Sequence, residues 1–276
     1  MAKKPRILLK YGGNAMRSTA LQQAVLMRIA EACKAGTEII LVHGGGPFIR
    51  DLLATVRVES EFIDGQRKTT PDALRYIEMA LKGEVNGRLV NVLNQHGVKA
   101  VGLSGKDGQL VQARRRYHIS TVDGRKERID IGLVGDVEQV DTALPELLLA
   151  NGYVPVITCI ASDLEGTDYN INADLFAGHL AGALQADLYL VLTDVDGLLR
   201  DVHDPSTLIA SLNVAELTNL YGSTIRGGMI PKLESCQVAL ERGARTAAII
   251  NGTRPEALEE ALATPDHFRG TKIQPA

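Results

Sequence analysis

Six short runs rich in Val, Ile and Leu recur along this chain, at 6–11, 38–42, 99–103, 153–158, 187–193 and 245–250. Most are bounded by Gly, Asn, Asp or Pro, and longer stretches of helical patterning separate them, near 18–35, 47–56, 72–96, 141–151, 172–185, 229–242 and 254–262. A strand that is apolar on both faces needs cover on both faces, and parallel strands obtain it from the helices that cross over between them. The alternation therefore predicts an α/β chain: a three-layer αβα sandwich around a mainly parallel central sheet that ends near residue 250. One segment, 109–140, breaks the rhythm. It is polar and strand-like with a turn signal at Asp123-Gly124, and reads as an antiparallel β-hairpin insertion over one edge of the site. A single domain over 1–276 is expected, with a seam between two lobes near 170–190.

Composition narrows the function by exclusion. Only 4% of residues are aromatic, there is no Trp, and 30 Lys plus Arg face 33 Asp plus Glu for a formal charge of −3. Neither nucleic acid nor a membrane surface is an expected partner for such a chain. The cysteines, Cys33, Cys159 and Cys236, are unpaired in spacing and read as reduced core thiols, which suits the cytoplasm. There is no P-loop pattern, no G-x-G-x-x-G, no His-Glu-x-x-His and no G-x-S-x-G, and the six His are scattered. No resident metal site is expected.

What remains is a set of polar clusters placed just after the apolar runs. Lys10-Tyr11-Gly12-Gly13-Asn14 would set an ammonium at the carboxyl edge of the sheet, where open α/β sheets bind ligands. A strand-ending turn with a solvated lysine is the plain alternative. His43-Gly44-Gly45-Gly46-Pro47 places three glycines before a helix start signalled by Pro47, so free N–H groups would face an anion there. His43 reads as a structural hydrogen-bonder. In Asn170-Ile171-Asn172-Ala173-Asp174, helix capping accounts for Asn172 and dipole compensation for Asp174, but neither accounts for Asn170. Lys232, in Gly227-Gly228-Met229-Ile230-Pro231-Lys232, opposes the dipole of the helix it opens, which hints at a functional placement. Arg67 after Asp64-Gly65-Gln66 can clamp a carboxylate or stay solvated, and Thr193 to Leu198 forms an acidic, glycine-containing turn. Two lysines, two anion cradles, an Asp and an Arg without an evident nucleophile suit phosphoryl transfer, which needs positioning and electrostatics above covalent help.

In order along the chain, K-Y-G-G-N at 10–14, V-H-G-G-G-P at 42–47, D-G-Q-R at 64–67, G-L-S-G-K-D-G at 102–108, N-I-N-A-D at 170–174, L-T-D-V-D-G-L at 192–198 and G-G-M-I-P-K at 227–232 resemble the amino acid kinase family. The resemblance implies the fold of that family and transfer of the ATP γ-phosphoryl group to the γ-carboxylate of N-acetyl-L-glutamate, a step of arginine biosynthesis. It further implies catalytic roles for Lys10, Lys232 and Asp174, and acceptor contacts from Gly45, Gly46, Arg67 and Asn170. ATP would meet Gly12, Gly13, Asp194, Val195, Asp196, Gly197, Leu198, Leu199, Thr224, Ile225 and Arg226, with Mg2+ carried in on the nucleotide. An acceptor lobe over about 1–180, an ATP lobe over about 181–276 and a homodimer are the corresponding expectations. The homodimer follows because only a few residues precede the first apolar run, too few for the N-terminal helix that links dimers into hexamers in arginine-inhibited relatives. Two departures from the family pattern, Lys68-Thr69-Thr70-Pro71 and the basic run Arg114-Arg115-Arg116, suit either a solvated edge or a bulkier carrier-linked α-aminoadipate acceptor. A non-catalytic nucleotide-binding module is the alternative of another class.

Overall fold

Parallel pairing gathers all six apolar runs into one sheet. The computed structural model describes residues 4–12, 16, 18–63, 65–122, 125–222, 224–264 and 267–275. In chain order its strands are β1 (Arg6–Tyr11), β2 (Glu38–His43), β3 (Phe62–Ile63), β4 (Gln66–Arg67), β5 (Lys99–Ser104), β6 (Val111–Val122), β7 (Arg125–Val140), β8 (Tyr153–Thr158), β9 (Ile160–Ser162), β10 (Asp168–Ile171), β11 (Leu188–Thr193), β12 (Ser211–Asn213), β13 (Ala247–Asn251) and β14 (Thr271–Gln274). The helices are α1 (Thr19–Lys34), α2 (Gly46–Thr55), α3 (Pro71–Glu78), α4 (Gly87–Gln95), α5 (Ala143–Ala150), α6 (Ala173–Ala183), α7 (Val214–Leu220), α8 (Met229–Glu241) and α9 (Pro255–Ala263). A π-helical stretch, Met79–Asn86, joins α3 to α4.

The main sheet runs β12-β14-β13-β11-β1-β2-β8-β5, with β1 parallel to both β2 and β11. Only β14 runs antiparallel to its neighbour β13. Alternation along β1 feeds both layers of the core. Ile7, Leu9 and Tyr11 pack with Val25, Leu26 and Ile29 of α1, while Leu8 shares the opposite cluster with Phe176 and Leu180 of α6 and Leu233 of α8. Each fully buried Leu or Ile stabilises the fold by roughly 1.5–3 kcal/mol.

The structure corrects two expectations. The sheet does not end near residue 250, because β14 adds a strand beside β13 and carries β12 at its outer edge. The insertion is indeed antiparallel, but it closes with β9 and β10 into a small barrel, β10-β7-β6-β9. Its expected turn at Asp123-Gly124 lies outside the described residues. The barrel brings the insertion to the N-I-N-A-D segment, since Asn170 on β10 pairs with Val134 on β7.

His43 closes β2 as a fully buried post. Its Nδ1 lies 2.9 Å from the Gly44 carbonyl and its Nε2 2.9 Å from the Asn86 amide nitrogen, which also donates to the Val156 carbonyl. This network assigns a neutral ring protonated at Nδ1. Burial lowers the His43 pKa to about 4, from about 6.5 in an unfolded chain. Between those values only the unfolded chain takes up the proton, so stability falls as pH drops from about 6.5 to about 4. The loss attributable to this ring is on the order of 3 kcal/mol. Melting curves of the parent and of His43→Gln across this range should show a shallower pH dependence in the variant; identical slopes would remove His43 as the cause.

Candidate active site

Lys10 shares a face of β1 with Leu8, the face covered by α6 and α8, and is only 6% exposed. Its Nζ lies 2.9 Å from Asp174 Oδ1. Asp174 sits in the first turn of α6, whose N-cap Asn172 accepts through Oδ1 from the N–H groups of Asp174 and Leu175 at 2.9 and 3.2 Å. Lys232, in the first turn of α8, places its Nζ 3.2 Å from Asp174 Oδ2. One carboxylate thus holds two ammoniums, one on each oxygen. Burial alone would raise the Asp174 pKa, but the charges of Lys10 and Lys232 outweigh it and hold the group below the usual carboxylate range. For Lys232, burial and then the charge of Lys10 pull the pKa down, against Asp174.

A cleft of about 370 Å³ opens over this triad, lined by Lys10, Gly12, Thr193, Asp194, Gly228 and Lys232 among others. A Cβ at Gly12 would lie 2.8 Å from Lys10 Nζ, so a side chain there would displace the ammonium. Gly13 and Asp64 lie outside the described residues. A second cavity of similar volume, beside Lys106 and Asp163 near the base of the hairpin, holds none of the expected residues. In the G-L-S-G-K-D-G segment, Lys106 bridges Glu78 at the end of α3 to Asp168 of β10, and Asp107, held by Ser104, pairs with Lys82 of the π-helical stretch.

At the triglycine turn, α2 begins at Gly46 with Pro47 in its first turn, as expected. The Gly44 N–H is not free, however: it donates to the Tyr11 carbonyl at 3.2 Å. This ties the turn to the end of β1. A Cβ on Gly45 would lie 2.6 Å from Leu81 Cδ2.

The nucleotide-side expectations divide. Asp194 and Val195 are exposed at the cleft mouth and Leu199 is half-buried. Asp196 turns away to Asn251 at 2.8 Å and Arg269 at 2.7 Å; its hydrogen bond from Asn251, with the two nearby arginines Arg269 and Arg254, lowers its pKa. Leu198 is buried, donates its N–H to Thr271 Oγ1 and accepts from the Ile209 N–H. Gly197 adopts a φ of 148°, and a Cβ there would lie 2.5 Å from Thr271 Oγ1. Asp196, Gly197 and Leu198 therefore hold the turn in place, and the exposed residues before them face the cleft. Likewise Ile225 is buried, whereas Thr224 is half-buried and Arg226 exposed.

On the other side, Arg67 donates to Ser60 Oγ and stacks 4.5 Å over the Phe62 ring. Burial, then the charge of Arg50, lowers its pKa. The Asn170 amide donates to Thr69 Oγ1 at 3.4 Å, and that hydroxyl donates to the Arg67 carbonyl at 3.0 Å. Fully buried Thr69 thus joins the two expected acceptor contacts; its neighbours Thr70 and Pro71 cap and open α3, leaving its own role invisible along the chain. Of the basic run, Arg115 pairs with Asp130 at 2.9 Å and Arg116 with Asp136 at 2.6 Å, so both already serve the hairpin.

The sequence pattern of the amino acid kinase family matches residues 5–251. Acetylglutamate kinase of Moorella thermoacetica is 42% identical over 270 residues, 98% of this chain and 91% of that one. The acetylglutamate kinase of Prochlorococcus marinus is 46% identical over 254 residues, 92% of this chain and 79% of its own length. Among solved structures, N-acetylglutamate synthase from Neisseria gonorrhoeae, complexed with coenzyme A and N-acetyl-glutamate, superposes with a TM-score of 0.82 at 23% identity. That likeness is one of fold, and it covers 98% of this chain but 59% of the synthase. Carbamate kinase from Giardia lamblia shares the fold at a TM-score of 0.71 and 16% identity, over the full length of both chains. With the family pattern spanning most of the sequence and relatives above 40% identity along nearly all of it, the chain belongs to the amino acid kinase family.

Proposed function

We propose that this chain phosphorylates the γ-carboxylate of N-acetyl-L-glutamate with ATP, yielding N-acetyl-L-glutamyl 5-phosphate and ADP in arginine biosynthesis. The observation that carries the reading is the Lys10–Asp174–Lys232 triad beneath an open cleft, in a chain whose relatives are acetylglutamate kinases. An acceptor carboxylate of pKa about 4.3 is ionised at neutral pH, so the attack on the γ-phosphorus needs no general base. The difficulty is bringing two anions together. Lys10 and Lys232 answer it by placing positive charge where the transferring oxygens pass, and Asp174 keeps the two ammoniums from repelling each other apart.

In this reading Arg67 and Asn170 grip the α-carboxylate end of the acceptor, and Gly45 and Gly46 donate amides near its γ-carboxylate. Gly12, Asp194, Val195, Leu199, Thr224 and Arg226 border the nucleotide. At the cleft stand two ammoniums, the Asp174 carboxylate they already hold, and one exposed carboxylate, Asp194. That set suits phosphate oxygens better than a bare cation, so Mg2+ is held by the nucleotide's phosphates and supplies further charge neutralisation there. Residues about 1–180 form the acceptor lobe and about 181–276 the ATP lobe. The protein works in the cytoplasm as a homodimer packed through the helices spanning 72–96, whose Met79 is 48% exposed.

Three measurements test the assignment. With MgATP, N-acetyl-L-glutamate should release ADP and give a hydroxamate when trapped with hydroxylamine, whereas L-glutamate and N-acetyl-α-aminoadipate should not; turnover of the aminoadipate alone would move the activity to another acceptor. Lys10→Met and Lys232→Met should each lower kcat by about 10²-fold or more with both KM values little changed. An unaltered kcat would withdraw the charge-stabilising role. Arg67→Ala should raise the KM for the acceptor and leave that for ATP alone; the opposite pattern would place Arg67 on the nucleotide side.

A further inference from the structure

Lys232 stands in the first turn of α8, whose N-cap Gly228 gives no side-chain cap and follows Gly227 at a φ of 54°. Behind the triad, however, two fully buried hydroxyls span the gap between the two helices that carry it. Tyr189, on β11 in register with Leu8 of β1, donates its phenol to the Asp174 carbonyl at 3.1 Å. The Ser235 hydroxyl, on α8, lies 3.0 Å from that phenol oxygen and 2.7 Å from the Lys232 carbonyl, and its single proton can go to either; donated to the phenol oxygen, it ties α8 to Asp174 through Tyr189. The contact is tight: a Cβ on Gly178 of α6 would overlap the Ser235 carbonyl. Small residues therefore let α6 and α8 approach at the level of this hydroxyl pair. Burial keeps the Tyr189 phenol far above the ordinary range, so it stays a neutral donor throughout the working pH.

We propose that Tyr189 and Ser235 are positioning residues for phosphoryl transfer: with the phenol donating to the Asp174 carbonyl and the Ser235 hydroxyl to the phenol oxygen, they tie α8 at Ser235, one turn from Lys232, to the backbone of Asp174 and so set the reach of the Lys232 ammonium into the cleft. This rests on the catalytic reading of the triad given above. Neither hydroxyl touches the cleft, and neither would contact substrate. Their effect is geometric, and a displacement of about 1 Å in a charge-stabilising group can cost up to 10²-fold in rate.

Tyr189→Phe and Ser235→Ala each remove one hydroxyl and add no volume. With MgATP and N-acetyl-L-glutamate, each should lower kcat by about tenfold and leave both KM values within twofold of the parent. The double variant should fall little further than the worse single one, because a chain broken once is already open. Ser235→Cys, which keeps a weak donor, should recover part of the loss. Ile29→Val, a core substitution in α1 on the opposite face of the sheet, is the control for lost stability. The proposal is overturned if the folded hydroxyl variants keep kcat within twofold of the parent, or if Ile29→Val loses kcat as they do. Should one hydroxyl variant fail to fold, the other decides alone. Lys232→Met in the same assay separates the two levels: an inactive Lys232→Met beside fully active hydroxyl variants removes only the positioning role, while a parent without turnover removes the reading beneath it.

Discussion

A buried carboxylate shared by two ammoniums is the constraint around which this structure is arranged. Asp174 and Lys10 are each about 6% exposed, and taking an isolated charge out of water costs several kcal/mol. Neither would be tolerated alone. Lys232 carries a second penalty, since its ammonium sits in the first turn of α8 against the helix dipole. The three offset one another only at short range, and here they meet at 2.9 and 3.2 Å. Bringing residues 10, 174 and 232 to that distance requires β1 in the middle of the sheet and α6 against α8 on a single face of it. The same arrangement leaves one positive charge in excess, directed at the cleft.

Glycine placement follows from that geometry. Gly12 has no Cβ because Lys10 Nζ occupies the space, and Gly178 has none because Ser235 passes across it. At the triglycine turn the three residues do different work: Gly44 is bound back to β1 through Tyr11, while Gly45 and Gly46 begin α2. His43 stands behind them as a neutral post, held by Asn86 of the π-helical stretch, which also binds β8. Insertions of π-helix are costly and concentrate at functional sites; this one ends on Asn86, the residue that holds the histidine ring.

The parts legible along the chain were those whose physics is local. Apolar runs of five to seven residues between helical patterns gave the layers, Pro47 and Asn172 marked two helix starts, and Asp174 and Lys232 stood where their charges met opposite relations to the dipole. Elements whose stability lies in distant partners left no such trace. β9, β10, β12 and β14 span only three or four residues each and exist because another strand lies alongside. The partners of Asp196 and Leu198 are invisible for the same reason: Asn251, Arg269 and Thr271, which hold the Asp-x-Asp-Gly turn, come more than fifty residues later. Thr69 was hidden by its neighbours, since a Thr before Thr70-Pro71 looks like part of a helix start.

Thr69 also gives the hairpin a reason to be where it is. Its N–H donates to the Ile131 carbonyl and its own carbonyl accepts from the Leu133 N–H, so the segment after Arg67 is bound edge-on to β7. Gly132, at a φ of 77°, has no room for a Cβ beside that carbonyl. On β7, two residues beyond Gly132, Val134 pairs with Asn170. Arg67 and Asn170 are 103 positions apart, yet both are referenced to one strand of the barrel and to one hydroxyl between them. The insertion that the sequence places over one edge of the site thus also holds Arg67 and Asn170 in register, and Arg115 and Arg116 form ion pairs along the same hairpin.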